Sequence, residues 1–246
     1  MAQGVAAIAF YTCLPVPHRW PLDFRRIAQY APLVGVLIGA LLACGDAVLA
    51  QVGMPVLTRS ALIVAGWVAL TGGLHLDGAM DMADGLAVLD PKQRLTVMAD
   101  SRTGAFGTMA AVLILGIKIL ALAEIGQGHW FALMAAAGWG RWGQVVAIAR
   151  YPYLKAEGKG AFHKAHIRPP WDLVPGGLAL LLLCGLFLLS NPNLWAMGIG
   201  TMLGGVAIAL FTGDWIQRQL GGHTGDTYGA VVEWTETLLL AVMTVF

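Results

Sequence analysis

The sequence predicts an all-α protein, a polytopic bundle of helices embedded in a membrane. Of its 246 residues, 58% are hydrophobic and only 12% are charged, and the mean hydropathy is +0.71. Soluble domains carry about 25% charged residues, so too little polar surface is present here to cover a globule in water. Long apolar segments also recur along the chain, and helices suit a bilayer because they satisfy their own backbone hydrogen bonds.

Seven segments approach the length of about 20 apolar residues that a membrane-spanning helix needs. In chain order they are roughly residues 32–52, 60–74, 107–123, 130–149, 173–190, 194–211 and 230–246. No linker, low-complexity tract or clear repeat interrupts them. Residues 1–246 are therefore predicted to form a single membrane-embedded domain of about seven transmembrane helices.

The basic residues give this bundle an orientation. With seven spans, 12 of the 15 Lys and Arg fall on the side that holds the N-terminus. The opposite side receives only Arg59, while Lys118 and Arg141 fall inside spans. Because positively charged loops stay in the cytoplasm, the N-terminus is expected to be cytoplasmic. The net charge of +1 indicates no attraction to a polyanion, so no nucleic-acid partner is expected.

The acidic residues cluster on the same predicted side. Of the 14 Asp and Glu, five lie in residues 77–100 and four in residues 214–236. Asp77, Asp81 and Asp84 are spaced i, i+4, i+7, so they share one face of a helix. Three carboxylates in a row repel one another unless a cation neutralises them, and Mg²⁺ prefers such ligands together with substrate phosphates. Together with the basic residues and glycine-rich turns on the same side, the stripe predicts a magnesium–diphosphate site.

Two residues near the stripe are candidates for proton transfer. His75 precedes it and is a candidate base or phosphate donor. Asp81 is assigned to the chemistry as well as to the metal. A solvated acidic face is the alternative interpretation. It is disfavoured because the other face of the helix is apolar and the stripe adjoins a span, where unpaired charge is costly.

A polar segment before the third span holds a second candidate group. Arg102 is of the type that grips a phosphate in bidentate fashion, and the backbone N–H groups of the following helix start favour anions. Asp100 is a candidate for metal binding or base work. An ordinary turn with an exposed arginine is the alternative.

A third group lies in and after the glycine-rich segment 221–229. Its Gly-Gly turn and hydroxyls suit a phosphate or a ribose, which makes Thr224 and Asp226 candidate substrate contacts. Glu233 and Glu236 share a face at the start of the last span and are candidate substrate-binding residues too. Their alternative role is that of favourable acids near a helix N-terminus.

Two basic features complete the candidate site. Arg141 lies within the fourth span, where a charge is usually functional or paired, so a carboxylate or a substrate phosphate is its expected partner. Residues 150–172 form a basic loop that includes Lys155 and His163. This loop is either a cytoplasmic anchor or a lid over an anionic substrate.

Three sequence blocks then point to a family. They are Gly73-Leu74-His75-Leu76-Asp77-Gly78 with Asp81 and Ala83-Asp84-Gly85; Asp100-Ser101-Arg102 with Gly104 and Phe106-Gly107; and Gly221-Gly222 with Thr224-Gly225-Asp226-Thr227. In order and spacing they resemble cobalamin synthase, the adenosylcobinamide-GDP ribazoletransferase family. The resemblance covers nearly the whole chain. The chain departs from the family at Cys13 and Ala99, where basic residues are common, and at Thr103.

The resemblance implies a Mg²⁺-dependent phosphotransferase in the last steps of cobalamin biosynthesis. α-Ribazole, or its 5′-phosphate, would attack adenosylcobinamide-GDP, release GMP and form adenosylcobalamin or its 5′-phosphate. It also implies a multi-pass protein of the cytoplasmic (inner) membrane, with the active site facing the cytoplasm and an association with other enzymes of the pathway. Asp77, Asp81 and Asp84 match the family's acidic motif.

Two other functions compete with this interpretation. A Mg²⁺-dependent membrane prenyltransferase also uses Asp-rich helices, but this chain lacks a second stripe of the same spacing. A cation-coupled transporter would place its acids near the bilayer midplane, often within internal repeats. Here the acids gather at span ends, and no repeat relates the two halves.

Overall fold

A computed structural model describes residues 2–17, 19–156 and 158–246. Helices account for nearly all regular structure in these ranges, and Tyr153 and His223 form an isolated β-bridge. The helices are α1 (Ala2–Tyr11), α2 (Ala31–Gln51), α3 (Val56–Thr71), α4 (Leu74–Ala87), α5 (Arg94–Val97), α6 (Ala105–Glu124), α7 (His129–Arg150), α8 (Lys159–His166), α9 (Val174–Ser190), α10 (Trp195–Leu220) and α11 (Gly225–Met243). Two 3-10 turns precede α2 and α10, over Ile27–Tyr30 and Pro192–Leu194.

The all-α prediction is confirmed, and each of the seven predicted spans coincides with a helix. Among the described residues, three stretches are long and apolar enough to cross a membrane: Ile27–Gln51, Ala105–Glu124 and Pro192–Leu220. A fourth is counted if α3 and α4 form one bent span. The chain is thus a helical membrane protein, while the count of seven and the cytoplasmic N-terminus stay predictions.

Helix α7 lies at the centre of the bundle and packs against α2, α9, α10 and α11. Its closest neighbour is α2, which carries the small-residue pair Gly35 and Gly39 four positions apart. A Cβ atom on either glycine would lie less than 3 Å from the α7 backbone, at Ala137 and at Leu133. The two glycines therefore let the helix backbones touch, which is a common way to pack helices in a bilayer.

Helix α4 turns away from α3 by 92°. The turn is made by Gly72 and Gly73, whose φ angles of +61° and +69° disfavour any residue with a side chain. Helix α4 then packs against the first turns of α6 and α11, as Gly78 lies against the backbone of Asp226 and Gly229 against that of His75. Helix α4 thus begins where the second predicted span (residues 60–74) ends, and it lies against α6 and α11.

Candidate active site

A cavity of about 310 Å³ opens beside α4. Helices α1, α4, α7, α8 and α11 form its walls, together with the segment that links α7 to α8. Its lining residues are Phe10, Leu74, His75, Asp77, Gly78, Gln144, Tyr153, Lys155, Gly158, Gly160, His163, Gly225, Asp226, Tyr228 and Gly229. Three predicted site residues thus meet here, namely His75, Asp77 and Asp226.

The carboxylates of α4 and Asp226 repel one another, as the stripe predicts, although only Asp77 and Asp226 line the cavity. Burial, followed by the charges of Asp77, Asp226 and Asp84, raises the pKa of Asp81 from 3.8 to about 6. Lys155 opposes this shift, and its Nζ atom lies 2.9 Å from Oδ2 of Asp226. Four acids from helices α4 and α11 therefore lie in one region. Lys155 is the single lysine that acts to lower the pKa of Asp81 there.

Asp84 also links helix α4 to the start of helix α6. Its two carboxylate oxygens accept hydrogen bonds from the backbone N–H groups of Gly104 at 2.7 Å and Gly107 at 2.8 Å. These amides belong to the N-terminal end of α6, where a negative charge is favourable. Asp84 thereby fixes α4 to α6, and its oxygens keep only their second lone pairs for any further ligand.

His75 is buried and is one of the residues that line the cavity. Burial, aided by the charges of Arg141 and Lys118, lowers its pKa well below 6.5, so the imidazole is neutral at physiological pH. Its Nε2 atom has no hydrogen-bond partner among the described residues. This nitrogen is itself buried, so it would accept a proton only from a group that reaches it inside the protein.

The carboxylate oxygens here suit a magnesium ion whose coordination shell is completed by a bound ligand and water. Within the described ranges, no three His, Cys, Asp or Glu side chains are already arranged around one point as metal ligands. Mg²⁺ is commonly held by only one or two carboxylates, with water and substrate phosphates in its other positions. The raised pKa of Asp81 also marks a surplus of negative charge that a cation would relieve.

Asp100 and Arg102 lie away from this cavity. They form an ion pair at 2.6 Å on the surface, with side chains 38% and 88% exposed. Hydrogen bonds from Arg102 lower the pKa of Asp100 to about 2, which makes it a poor proton acceptor. In this arrangement each is paired with the other rather than with the acidic stripe, and the expected roles of Asp100 and Arg102 stay predictions.

Thr224 acts as a helix cap. It is fully buried, and its hydroxyl accepts a hydrogen bond from the backbone N–H of Thr227 at the start of α11. It also donates to Oδ2 of Asp226 at 3.2 Å. The expected contact of Thr224 with substrate stays a prediction, while its hydroxyl holds the start of α11 and Asp226 in place.

The substrate-binding roles of Arg141, Glu233 and Glu236 stay predictions, and in this structure all three side chains belong to a buried ion network that includes Lys118. Nζ of Lys118 lies 2.6 Å from Glu233 and 2.5 Å from Glu236. Nη1 of Arg141 lies 2.6 Å from the other oxygen of Glu236. The four charges balance, and none of these side chains lines the cavity. The carboxylate partner expected for Arg141 is confirmed.

Several residues that line the cavity were not predicted from the sequence, or were predicted only as members of the basic loop. Gln144 lies on α7 one turn after Arg141, and a polar residue there in an apolar span was an available signal. Tyr153 and Tyr228 gave no distinct signal, because aromatic residues are common in apolar segments. The lid role proposed for the basic loop gains support, since Lys155 and His163 both reach the cavity.

Comparison with known proteins now assigns the chain to a family. The family described as CobS, cobalamin-5-phosphate synthase, matches residues 4–244. The chain belongs to this family. The adenosylcobinamide-GDP ribazoletransferase of Trichormus variabilis is 57% identical to it over 98% of this chain and 96% of the relative. The protein of that name from Roseiflexus sp. is 36% identical over 97% of this chain and 87% of the relative. No solved structure matches. These matches favour neither a prenyltransferase nor a transporter.

Proposed function

We propose that the chain is an adenosylcobinamide-GDP ribazoletransferase. It joins adenosylcobinamide-GDP to α-ribazole, or to α-ribazole 5′-phosphate, and releases GMP. The product is adenosylcobalamin, or its 5′-phosphate. Support comes from the family match and from the relatives that carry this name over almost their whole length.

One observation carries the location of the chemistry. A neutral, buried His75 with a free Nε2 borders the same cavity as Asp77 and Asp226. In the reaction, a hydroxyl oxygen of the acceptor forms a bond to the cobinamide-side phosphorus, and the bond to the GMP oxygen breaks. We propose that His75 accepts the hydroxyl proton and that Asp77, Asp81 and Asp226 lie around the bound diphosphate.

We further propose that the transfer depends on Mg²⁺. When bound, the ion supplies charge neutralisation for the diphosphate. Asp77 and Asp81 on α4, with Asp226 on α11, are the residues proposed to hold it, and Asp84 keeps α4 in register with α6. Lys155 supplies a further positive charge beside Asp226 and is suited to contact a phosphate oxygen.

The cavity is proposed to face the cytoplasm in a seven-span topology. The α4–α11 end of the bundle carries the basic loops, and the positive-inside rule places those loops in the cytoplasm. The expected location is the cytoplasmic (inner) membrane. Introduced cysteines test this arrangement. A label that cannot cross the membrane should react at residue 90 only in inverted vesicles, and at residue 192 only in right-side-out cells.

The decisive experiment is turnover by the purified full chain in detergent. Adenosylcobinamide-GDP, α-ribazole and Mg²⁺ are supplied, and GMP and adenosylcobalamin are both measured. Both products are expected in equal amounts, and both should disappear with EDTA or in Asp81→Asn. Asp90→Asn is the matched control, because Asp90 is an exposed acid of the following loop.

Each other outcome has a distinct meaning. GMP release without cobalamin would retain the diphosphate site but reject the acceptor. Full turnover in EDTA would reject the metal while keeping the transferase. No turnover by folded protein under any of these conditions would reject the proposed function.

A further inference from the structure

Lys155 already places a positive charge among the acids of the cavity. Its Nζ atom lies 2.9 Å from Oδ2 of Asp226, and its charge acts to lower the pKa of Asp81. Lys155 and Asp226 both line the cavity, and their side chains are 32% and 26% exposed. An ammonium group thus lies against a proposed metal ligand, at a place that a molecule entering the cavity can reach.

The backbone holds Lys155 close to Asp226. Just before Lys155, the N–H of Leu154 donates to the carbonyl of His223 at 2.8 Å, and the N–H of His223 donates to the carbonyl of Pro152 at 2.9 Å. His223 is fully buried and lies three residues before Asp226. Both partners of the ion pair therefore extend from one hydrogen-bonded piece of backbone.

The side chain of Lys155 is able to leave this ion pair while its backbone stays in place. A lysine carries a compact charge on a flexible four-carbon stem, so rotamer changes alone move the ammonium group. Asp226 has other supports, because the hydroxyl of Thr224 donates to its Oδ2 at 3.2 Å and Gly78 lies against its backbone. Opening the ion pair therefore leaves the start of α11 in position.

A metal ion and the lysine compete for Asp226. A cation bound to this carboxylate meets the Lys155 ammonium there, and like charges at contact distance repel. A diphosphate removes the conflict, because its oxygens attract both the ion and the ammonium group. A diphosphate by itself is repelled by the acids of α4. Each of the two ligands therefore binds more favourably when the other is present.

We propose that Lys155 takes the place of the metal at Asp226 in the ligand-free protein and moves to the diphosphate when adenosylcobinamide-GDP binds. The inference rests on the proposed function, and it adds an exchange of partners by one lysine that makes metal and diphosphate binding depend on each other. The acids keep a counter-charge before substrate arrives, and Mg²⁺ is held firmly only together with the diphosphate. Lys155 is then a substrate-binding residue and not a permanent brace for α11.

The first test is Mg²⁺ binding to the full chain in detergent, measured by calorimetry without any acceptor, so that no transfer occurs. Lys155→Met keeps the length of the side chain and removes its charge. We expect this variant to bind Mg²⁺ alone about tenfold more tightly than the parent at low salt, because the competing cation is gone. High salt should reduce the difference, since both partners of the ion pair are partly exposed.

The same substitution should have the opposite effect on the substrate. Binding of adenosylcobinamide-GDP in the absence of Mg²⁺ should weaken about tenfold, because a charged hydrogen bond to the phosphate is lost. Lys155→Arg retains a cation and should stay close to the parent in both titrations. Lys92→Met is the matched control, because Lys92 is an exposed lysine of another loop that bonds Asp90 through its backbone N–H. The control should match the parent protein in both titrations.

Several results would overturn the inference. Mg²⁺ affinity in Lys155→Met equal to or weaker than that of the parent would show that the lysine does not compete with the metal. Unchanged binding of adenosylcobinamide-GDP would show that the lysine stays on Asp226. If Lys155→Met does not fold, the parent still decides, because equal Mg²⁺ affinity with and without adenosylcobinamide-GDP contradicts the proposed dependence. Absence of GMP and adenosylcobalamin in the turnover assay, alongside the expected binding results, would instead reject the proposed function.

Discussion

Replacing Lys118 by methionine tests the buried ion network most directly. Lys118 is 3% exposed and lies 2.6 Å from Glu233 and 2.5 Å from Glu236. Its Nζ atom also lies 4.6 Å from the centroid of the Trp67 ring. The substitution leaves Glu236 paired with Arg141 but leaves Glu233 as a buried charge without a cation.

The expected loss of stability follows from that unpaired charge. Removing one partner of a buried pair destabilises a protein by about 3–5 kcal/mol. For a chain of this size, about 1 kcal/mol lowers the Tm by about 2–4 °C, so Lys118→Met should lower it by roughly 6–20 °C. The double variant Lys118→Met with Glu233→Gln keeps the Arg141–Glu236 pair and should recover most of this loss.

Thermal unfolding in one fixed detergent, followed by tryptophan fluorescence, measures these shifts. Arg218→Met is the matched control, because Arg218 is 77% exposed and pairs with Asp214 one turn away. Surface pairs of this kind contribute little, so its Tm should match that of the parent. A Tm for Lys118→Met equal to that of the control would refute the reasoning. So would a double variant less stable than the single one, because it would mean that charge balance does not govern this core.

Three further predictions concern the cavity side of the bundle. Gly229→Ala should abolish turnover and lower the Tm, since its Cβ would lie within about 3 Å of the His75 backbone. The matched control is Gly116→Ala, whose Cβ would have no neighbour within 4 Å. In the same thermal melt the control should unfold at or above the Tm of the parent protein. Asp84→Asn should lower the Tm because one α6 amide loses its acceptor; a parent-like Tm would contradict the anchor. The folded-state pKa of Asp81, about 6, lies above its unfolded value, so without metal the protein should lose stability as pH rises from about 4 through about 6. Asp81→Asn should flatten this profile in pH-dependent melts, and an equally steep profile would contradict the assignment.

The membrane fold was predictable because its signals are local. Low charge and long apolar segments depend only on composition and order, and all seven expected segments are helical. The stripe of Asp77, Asp81 and Asp84 was predictable for the same reason, since helical periodicity fixes which residues share a face. The family motifs were equally visible without a structure.

The cavity itself required the tertiary structure. Gln144 lies on α7, His163 on α8 and Tyr228 on α11, and no short-range pattern links residues so distant in sequence. The separation of Asp100 and Arg102 from the acids was hidden as well, because adjacency in a motif does not specify which way a surface pair points. Their mutual ion pair at 2.6 Å appears only in the folded chain.

The sequence by itself determined that this is a helical membrane protein of the cobalamin-5-phosphate synthase family with an acidic stripe on one helix. Only the tertiary structure decided which charges serve the cavity and which hold the bundle together. Glu233 and Glu236 look as available as Asp226 in the sequence, yet they pair with Lys118 and Arg141 inside the protein. The physical reason is that a charge in a helix is stabilised by partners on other helices, and those partners are chosen by packing.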